Sequence, residues 1–270
     1  MTDRKNNSSL LSLLFVSLIS LSPRLKHHLW KKWYDLLARH DKKQLLSSMN
    51  YGYLNDKTLG DHNTNPQLAL YEHITDSITL ENKNIIEIGS GRGAGAHHLS
   101  QKYHPNTYIG IDLANHASQN SNCKNNLDTV LFTTADALSL PLKPGKTNIA
   151  INVESSHCYS DLQAFIQQVS ATLTEGGYFC YCDLMKANKV DTLRQYFQES
   201  ELNVIEANNI THNILQSLDR ESDRHEQQIK ENIPWYLRKA FSDFVGIKNT
   251  GVYNLFKTGQ YVYYSFLLQK

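Results

Sequence analysis

"NIIEIGSGRGAG", residues 84–95, decides the fold. A short apolar run, interrupted only by Glu87, passes directly into Gly89, Gly91 and Gly93. "AGAHHLSQKYHP" follows, with helical spacing that stops at Pro105. A strand, a glycine turn and a helix in immediate succession make the first half of a βαβ unit. Glycine at such a turn lets the backbone bend sharply and lets a ligand come close.

The same rhythm repeats downstream. "TYIGIDLA" reads as a second strand, "TVLFTTADA" as a third and "TNIAINVE" as a fourth. "DLQAFIQQVSATL" carries Leu162, Phe165, Ile166, Val169 and Leu173 on one helical face, and "TEGGYFCYCDL" is a turn and a fifth strand. The polar stretch 115–126 is expected to be helical. Alternating strands and helices predict a parallel sheet with right-handed crossovers and helices on both faces. Upstream, residues 66–80 predict a helix and "NYGYLND" a loop. Beyond residue 184, a helix over 186–200 and a strand at "NVIEAN" are expected. A charged helical stretch over 211–245 and a final aromatic strand, "GQYVYYSFLLQK", complete the chain. The organisation read this way is 1–65 as an apolar and basic helical segment and lid, 66–185 as the ligand-binding α/β core, and 186–270 as strands with an inserted helical cap.

Composition narrows the class. With 40% hydrophobic and 20% charged residues and a net charge of +1, the chain reads as a globular domain without a global field for nucleic acid. The mixed charges of "DRESDRHEQQIKEN" read as a solvated helix face. Residues 1–43 hold nine Lys/Arg against three Asp, with Trp30 and Trp33. A solvated helix with core tryptophans explains that mix, and peripheral membrane contact is the alternative. "LLSLLFVSLISL" (10–21) is shorter than the ~20 residues a membrane-spanning helix needs. It resembles the apolar part of a signal peptide, but no small-x-small cleavage site follows. A helix docked on the domain or on a membrane surface is the expectation, in a cytoplasmic protein. Cys123 and Cys158 are isolated, and Cys180 and Cys182 share one face of a strand, so reduced thiols are expected. His97 and His98 are adjacent on a helix and point apart, so no metal site is expected.

The glycines alone would also suit a dinucleotide, since Gly89, Gly91 and Ala94 keep the G-x-G-x-x-A spacing. Glu87 argues otherwise, because a carboxylate at the mouth of the first strand repels a pyrophosphate and suits a cationic amino group. Asp112 ends the second strand about 20 residues on, where an acid accepts from ribose hydroxyls. Asp136 ends the third and can accept from an adenine amino group. Ser90, Leu113 and Ala137 flank these acids and the glycine loop, and Asn152 and Glu154 approach from the fourth strand. An amino acid, a ribose and an adenine without phosphate describe S-adenosyl-L-methionine.

At this point the residues resemble a known family. Over 84–184, "EIGSGRG", "GIDLA", "ADALSLP" and "LTEGGYF" are similar, in order, to the motifs of class I S-adenosylmethionine-dependent methyltransferases. The resemblance implies a Rossmann-like seven-stranded sheet whose last strand is antiparallel, which "GQYVYYSFLL" suits. From about Leu29 onward, "NVESSHCYSDL", "GGYFCYCDL" and "NIPWYLRKAFSDFVGIKNT" with "YNLFKTGQYVYYSF" resemble the phthiotriolone/phenolphthiotriolone dimycocerosates methyltransferases. That resemblance implies O-methylation of a hydroxyl on a hydrophobic lipid- or polyketide-like acceptor. The apolar segment 10–21 and the Asn/Lys/Gln-rich composition depart from it, so the particular lipid does not carry over.

An alcohol acceptor must lose a proton, and a histidine just past the fourth strand is placed to take it. His157 is therefore the candidate base, with Glu154 or Asp161 to orient its ring. The helix start at Ser160–Asp161 already has good caps and does not need it. Tyr51 and Tyr53, in a segment that could close over the cofactor, are further catalytic candidates; ordinary packing explains either tyrosine as well. Methylation at carbon or nitrogen of a sterol- or quinone-like acceptor stays open, as does a non-catalytic cofactor-binding partner. A nicotinamide oxidoreductase is disfavoured by Glu87.

Overall fold

Residues 50–114 and 127–270 are described by a computed structural model. The expectations for 1–49 and 115–126, including the apolar segment, Trp30, Trp33 and Cys123, lie outside the described residues. The elements are α1 (Pro66–Thr75), β1 (Asn84–Ile88), α2 (Ala94–Tyr103), β2 (Thr107–Asp112), β3 (Val130–Thr134), β4 (Thr147–Val153), α3 (Leu162–Thr172) and β5 (Leu173–Lys186). They continue as α4 (Val190–Glu199), β6 (Asn203–Asn209), α5 (Thr211–Asn232), α6 (Arg238–Phe244), α7 (Gly251–Lys257) and β7 (Tyr261–Gln269).

The strands form one seven-stranded sheet in the order β3-β2-β1-β4-β5-β7-β6. β1 to β5 are parallel; β7 runs antiparallel to both of its neighbours. The antiparallel last strand is the one the motifs implied. Central parallel strands are buried on both faces, which is why β1 and β4 read as nearly unbroken apolar runs. Alternation divides β5 between two cores. Cys180 and Cys182 face the layer of Tyr71, Leu99, Ile151 and Tyr263, while Phe179 and Tyr181 join Phe165, Phe197 and Phe266 on the other side. Among the described residues, Cys158, Cys180 and Cys182 are free cysteines.

Local chemistry sets the element ends. The Asn65 Oδ1 accepts from the N–H groups of Gln67 and Leu68, and Pro66 occupies the first helical position. α1 ends at Thr75, earlier than the spacing over 66–80 predicts. The Thr75 hydroxyl bonds back to the Tyr71 carbonyl, and a turn at Thr75–Ile78 follows. β3 stops at Thr134, short of the predicted 129–137, because Asp136 accepts the Leu138 N–H and turns the chain. Asp161 caps α3 through the Ala164 N–H at 2.9 Å, as expected of it. The mixed-charge stretch is the outer face of α5, whose buried side carries Ile214, Leu218 and Ile229. α5, α6 and α7 lie between β6 and β7 in sequence and form the cap.

Candidate active site

The strand register collects the chemistry at one edge of the sheet. Ile88 pairs with Ile111, and Val153 with Cys182. Residues 89–93 and Glu154 follow β1 and β4, Asp112 ends β2, and Asp183 lies within β5 next to the Cys182 that pairs with Val153, so all stand at the carboxyl edge of four neighbouring strands, where open α/β sheets bind ligands.

The glycine loop is folded back on β2. Gly89 and Ser90 donate their N–H groups to the Ile111 carbonyl, and the Gly91 N–H reaches the Asp112 Oδ2 at 2.9 Å. Gly89 has φ 78°, and a Cβ there would lie 2.2 Å from the Ser155 Oγ. The Asp112 Oδ1 accepts the Ala114 N–H at 2.8 Å. Burial raises the Asp112 pKa, against the backbone bonds that lower it. Leu113 beside it is 40% exposed, an uncovered apolar side chain on a polar rim. The Ala135 N–H bonds the Asp112 carbonyl, which brings the β3 turn with exposed Asp136 and buried Ala137 onto the same rim.

Asn152 is fully buried at the end of β4. Its Nδ2 donates to the Ile88 carbonyl at 2.8 Å, to the Ser155 Oγ at 2.7 Å and to the Tyr159 hydroxyl at 3.3 Å. Its Oδ1 has no partner, an unmet acceptor beside the glycine loop. Ser155 and Tyr159 close this network at 2.9 Å, and neither stood out in the sequence.

Glu87 does not face an open ligand space. It is fully buried, and its two oxygens accept from the Tyr71 hydroxyl at 2.7 Å and the Tyr108 hydroxyl at 2.9 Å. Burial raises its pKa to about 7, despite the two phenol bonds. Its position in β1 puts it on the face under α1, inside the core that anchors the loop.

His157 stands in a short 3₁₀ turn, Ser156–Cys158, just past β4. Its Nδ1 lies 2.7 Å from the Asp183 Oδ1, and its backbone N–H donates to the Asp183 Oδ2 at 2.9 Å. Asp183 is fully buried and also accepts from the Ser156 hydroxyl at 2.6 Å and the Leu184 N–H at 2.7 Å. Burial opposes charge on the imidazole, but the Asp183 carboxylate outweighs it and holds the His157 pKa well above the usual 6.5. Burial likewise works to raise Asp183, and the His157 charge and the bonds around it keep the carboxyl below its usual value. The orienting acid is thus Asp183, and neither of the two expected. Asp161 is occupied as a helix cap, and Glu154 turns to the Tyr51 N–H at 2.8 Å. Glu154 has φ 45°, and burial raises its pKa to about 8.

Tyr51 and Tyr53 part company. The Tyr51 hydroxyl donates to the Phe244 carbonyl at 3.1 Å, and its own carbonyl accepts from the Ser217 hydroxyl at 2.7 Å. Burial, then the nearby Glu154 and Asp183, push its phenol well above 10, so it is a poor base. It ties the helices between β6 and β7 to Glu154, three residues before His157. Tyr53 instead stacks on His73 of α1 with ring centroids 4.2 Å apart. Among the described residues, no His/Cys/Asp/Glu group could hold a metal ion.

A seven-stranded sheet with an antiparallel β7, a glycine loop bonded to the acid ending β2, and an unmet acceptor beside it define a methyltransferase whose cofactor is S-adenosyl-L-methionine. The lining fits that group: the backbone of 89–93, Asp112, Leu113, Asp136, Ala137 and the Asn152 Oδ1 are the groups that would hold it. Residues 80–240 match the family described as "Methyltransferase domain", and the chain belongs to that family. It is 27% identical over 245 residues to the phthiotriol/phenolphthiotriol dimycocerosates methyltransferase of Mycobacterium leprae, covering 88% of this chain and 91% of that protein. It is 26% identical to the fatty-acid O-methyltransferase of Mycolicibacterium smegmatis, over 76% of this chain and 77% of that one. Among solved structures, geranyl diphosphate C-methyltransferase from Streptomyces coelicolor, bound to Mg2+, geranyl diphosphate and S-adenosyl-L-homocysteine, shares the fold. Its TM-score is 0.63 at 15% identity, with 84% of this chain and 94% of that chain covered.

Proposed function

We propose that this methyltransferase O-methylates a hydroxyl on a hydrophobic, lipid- or polyketide-like acceptor, with His157 as general base. The observation that carries the reading is the His157–Asp183 pair at the carboxyl edge of the sheet, beside the glycine loop. S-adenosylmethionine supplies an electrophilic methyl group on a sulfonium. The chain's own residues do the rest. Asp183 accepts from Nδ1, which leaves Nε2 as the basic nitrogen of the neutral ring. Nε2 would take the proton of the acceptor hydroxyl as its oxygen replaces sulfur on the methyl carbon and the sulfur leaves as a neutral thioether, and Asp183 would stabilise the imidazolium that forms. Holding the acceptor in line supplies much of the rate.

The names of the two relatives support a long-chain or lipid-like acceptor. Incubation of the enzyme with labelled S-adenosylmethionine and fractionated host lipids, followed by mass spectrometry, tests the reading. A labelled methyl ether in a lipid fraction is expected; a labelled methyl ester would mean a carboxylate acceptor, which has no proton to give up, and overturns the base role of His157. A product methylated at carbon or nitrogen overturns the O-transfer assignment, and label confined to water-soluble products overturns the acceptor class.

A further inference from the structure

The three cap helices and the chain ahead of α1 converge on Tyr51. Residues 50–64 form a strap laced to α5 by side chains one helical turn apart. The Asn213 Nδ2 donates to the Leu54 carbonyl and the Ser217 hydroxyl to the Tyr51 carbonyl, both at 2.7 Å. The Arg220 guanidinium donates to the carbonyls of Asp61 and Thr64 at 3.0 and 2.6 Å. Gly52 is pressed between α1 and α5: a Cβ there would lie 2.6 Å from both the Pro66 Cβ and the Ser217 Oγ. Strap and α5 are therefore one body. The Tyr51 side chain adds the other two helices, with its hydroxyl on Phe244, the last residue of α6, and its ring edge-on to Phe256 of α7, centroids 5.7 Å apart.

This body meets the end of β4 at Glu154. The Glu154 backbone N–H still bonds the Cys182 carbonyl at 3.0 Å, so β5 fixes the residue, and a φ of 45° then turns its chain. Left-handed backbone is unfavourable for a glutamate and persists only where the surroundings impose it. Glycine would adopt it freely but would bring no carboxyl. Here the Glu154 Oε1 accepts the Tyr51 N–H at 2.8 Å, across 103 residues of sequence. We infer that Glu154 is a positioning residue of the methyl-transfer site: its carboxyl latches the strap, and with it the three cap helices, over the turn that carries His157. The inference rests on the His157 site proposed above.

The latch is linked to pH. The groups facing the Glu154 carboxyl are Asp183 and Cys182 of β5, His157, Tyr263 of β7, Tyr71 of α1 and Tyr51 itself. Burial raises the Glu154 pKa to about 8, against the Tyr51 N–H, which lowers it; Asp183 adds to burial. Opening the strap returns the carboxyl to water and to its ordinary 4.5. Its contribution to closure is therefore complete below about 4.5 and is lost as pH rises through about 8.

The test is amide hydrogen exchange of the full chain, with each rate divided by its intrinsic value, for wild type, E154Q and E154A. At pH 6.5, E154A should exchange about tenfold or more faster than wild type over 50–64 and α5, with β1 to β4 unchanged. E154Q keeps an accepting oxygen at the same reach and should stay within about threefold of wild type. Between pH 5.5 and 8 the wild-type strap should lose about tenfold or more of its protection. E154Q should lose much less, because only His157 and Asp183 remain to titrate beneath the strap. Unchanged strap exchange in E154A would overturn the inference. Equal acceleration of strap and sheet would do so too, since it marks general loosening, as would equal pH slopes in wild type and E154Q. No acceptor enters this measurement. If the O-transfer reading is wrong, the exchange pattern stands while the label enters other products; if the latch is wrong, E154A exchanges as wild type while labelled methyl ether still forms.

Discussion

Asp183 holds His157 at two points, with Oδ1 2.7 Å from the ring Nδ1 and Oδ2 2.9 Å from the backbone nitrogen. One carboxylate thus sets both where the imidazole sits and how it is turned. The double grip separates the two jobs a histidine could have here, because removing the ring leaves the backbone contact in place.

His157→Ala should therefore bind S-adenosylhomocysteine as the wild type does and lower turnover by about 10²-fold or more. Calorimetry and a single-turnover assay measure the two quantities on the same preparation.

Asp183→Asn acts on acidity as well as orientation. The wild-type rate should rise with pH through a limb above 6.5, because the raised pKa of His157 keeps the ring protonated until then. Without the carboxylate the buried ring loses the influence that raises it, and the limb should move to lower pH while the plateau falls. The variant should also lose on the order of 3 kcal/mol of stability near neutral pH, as expected for breaking a buried pair. The pair's contribution vanishes in both directions. It is lost as pH falls through the lowered Asp183 value, and again as pH rises through the raised His157 value.

Glu87 makes a pH prediction of the opposite kind. Its folded pKa, about 7, lies above the ordinary 4.5. The stability it confers is complete below about 4.5 and is lost as pH rises through 7, by something on the order of 3 kcal/mol. Glu87→Gln should flatten that decline in a urea titration repeated across pH, while cofactor affinity changes little if the carboxyl serves the core.

Gly89→Ala places a Cβ 2.2 Å from the Ser155 Oγ at a φ of 78°. Stability should fall by about 1–3 kcal/mol, and S-adenosylhomocysteine affinity should fall with it. Adding Ser155→Gly removes the collision and leaves the strained φ, so calorimetry should find only part of the affinity restored.

Tyr51→Phe should cost about 1 kcal/mol through the lost bond to Phe244 and leave the pH profile of turnover unshifted. Tyr53→Phe should change neither measurably. A large fall in turnover with unchanged stability in Tyr51→Phe would restore a catalytic role to the phenol.

The parts legible in the sequence are those written in neighbouring residues. The strands leading into Gly89 and Asp112 announce themselves by mostly apolar runs, broken in the first only by Glu87, and the glycine loop by its position between strand and helix. Asp183 was hidden because its role depends on β4 and β5 lying side by side in a particular register, which brings together residues 26 apart. The burial of Glu87 depends on two tyrosines, 16 and 21 residues away. Tyr51 and Tyr53 looked equivalent because an extended chain would point both the same way. Gly52 between them has φ 75°, and that bend sends one ring to the cap and the other to α1.

The position of β7 bears on how the chain is made. β6 is synthesised before β7, yet β7 lies between β5 and β6 and is, among the described residues, the only strand β6 pairs with. While the ribosome is still adding the residues between β6 and β7, neither β6 nor the outer edge of β5 has its native partner. Both of these edges acquire their native partner only once Tyr261–Gln269 is available. A stop codon within those nine residues would therefore unseat two strands at once, and the nascent protein is most exposed to mispairing with other chains in the interval while the cap is being translated.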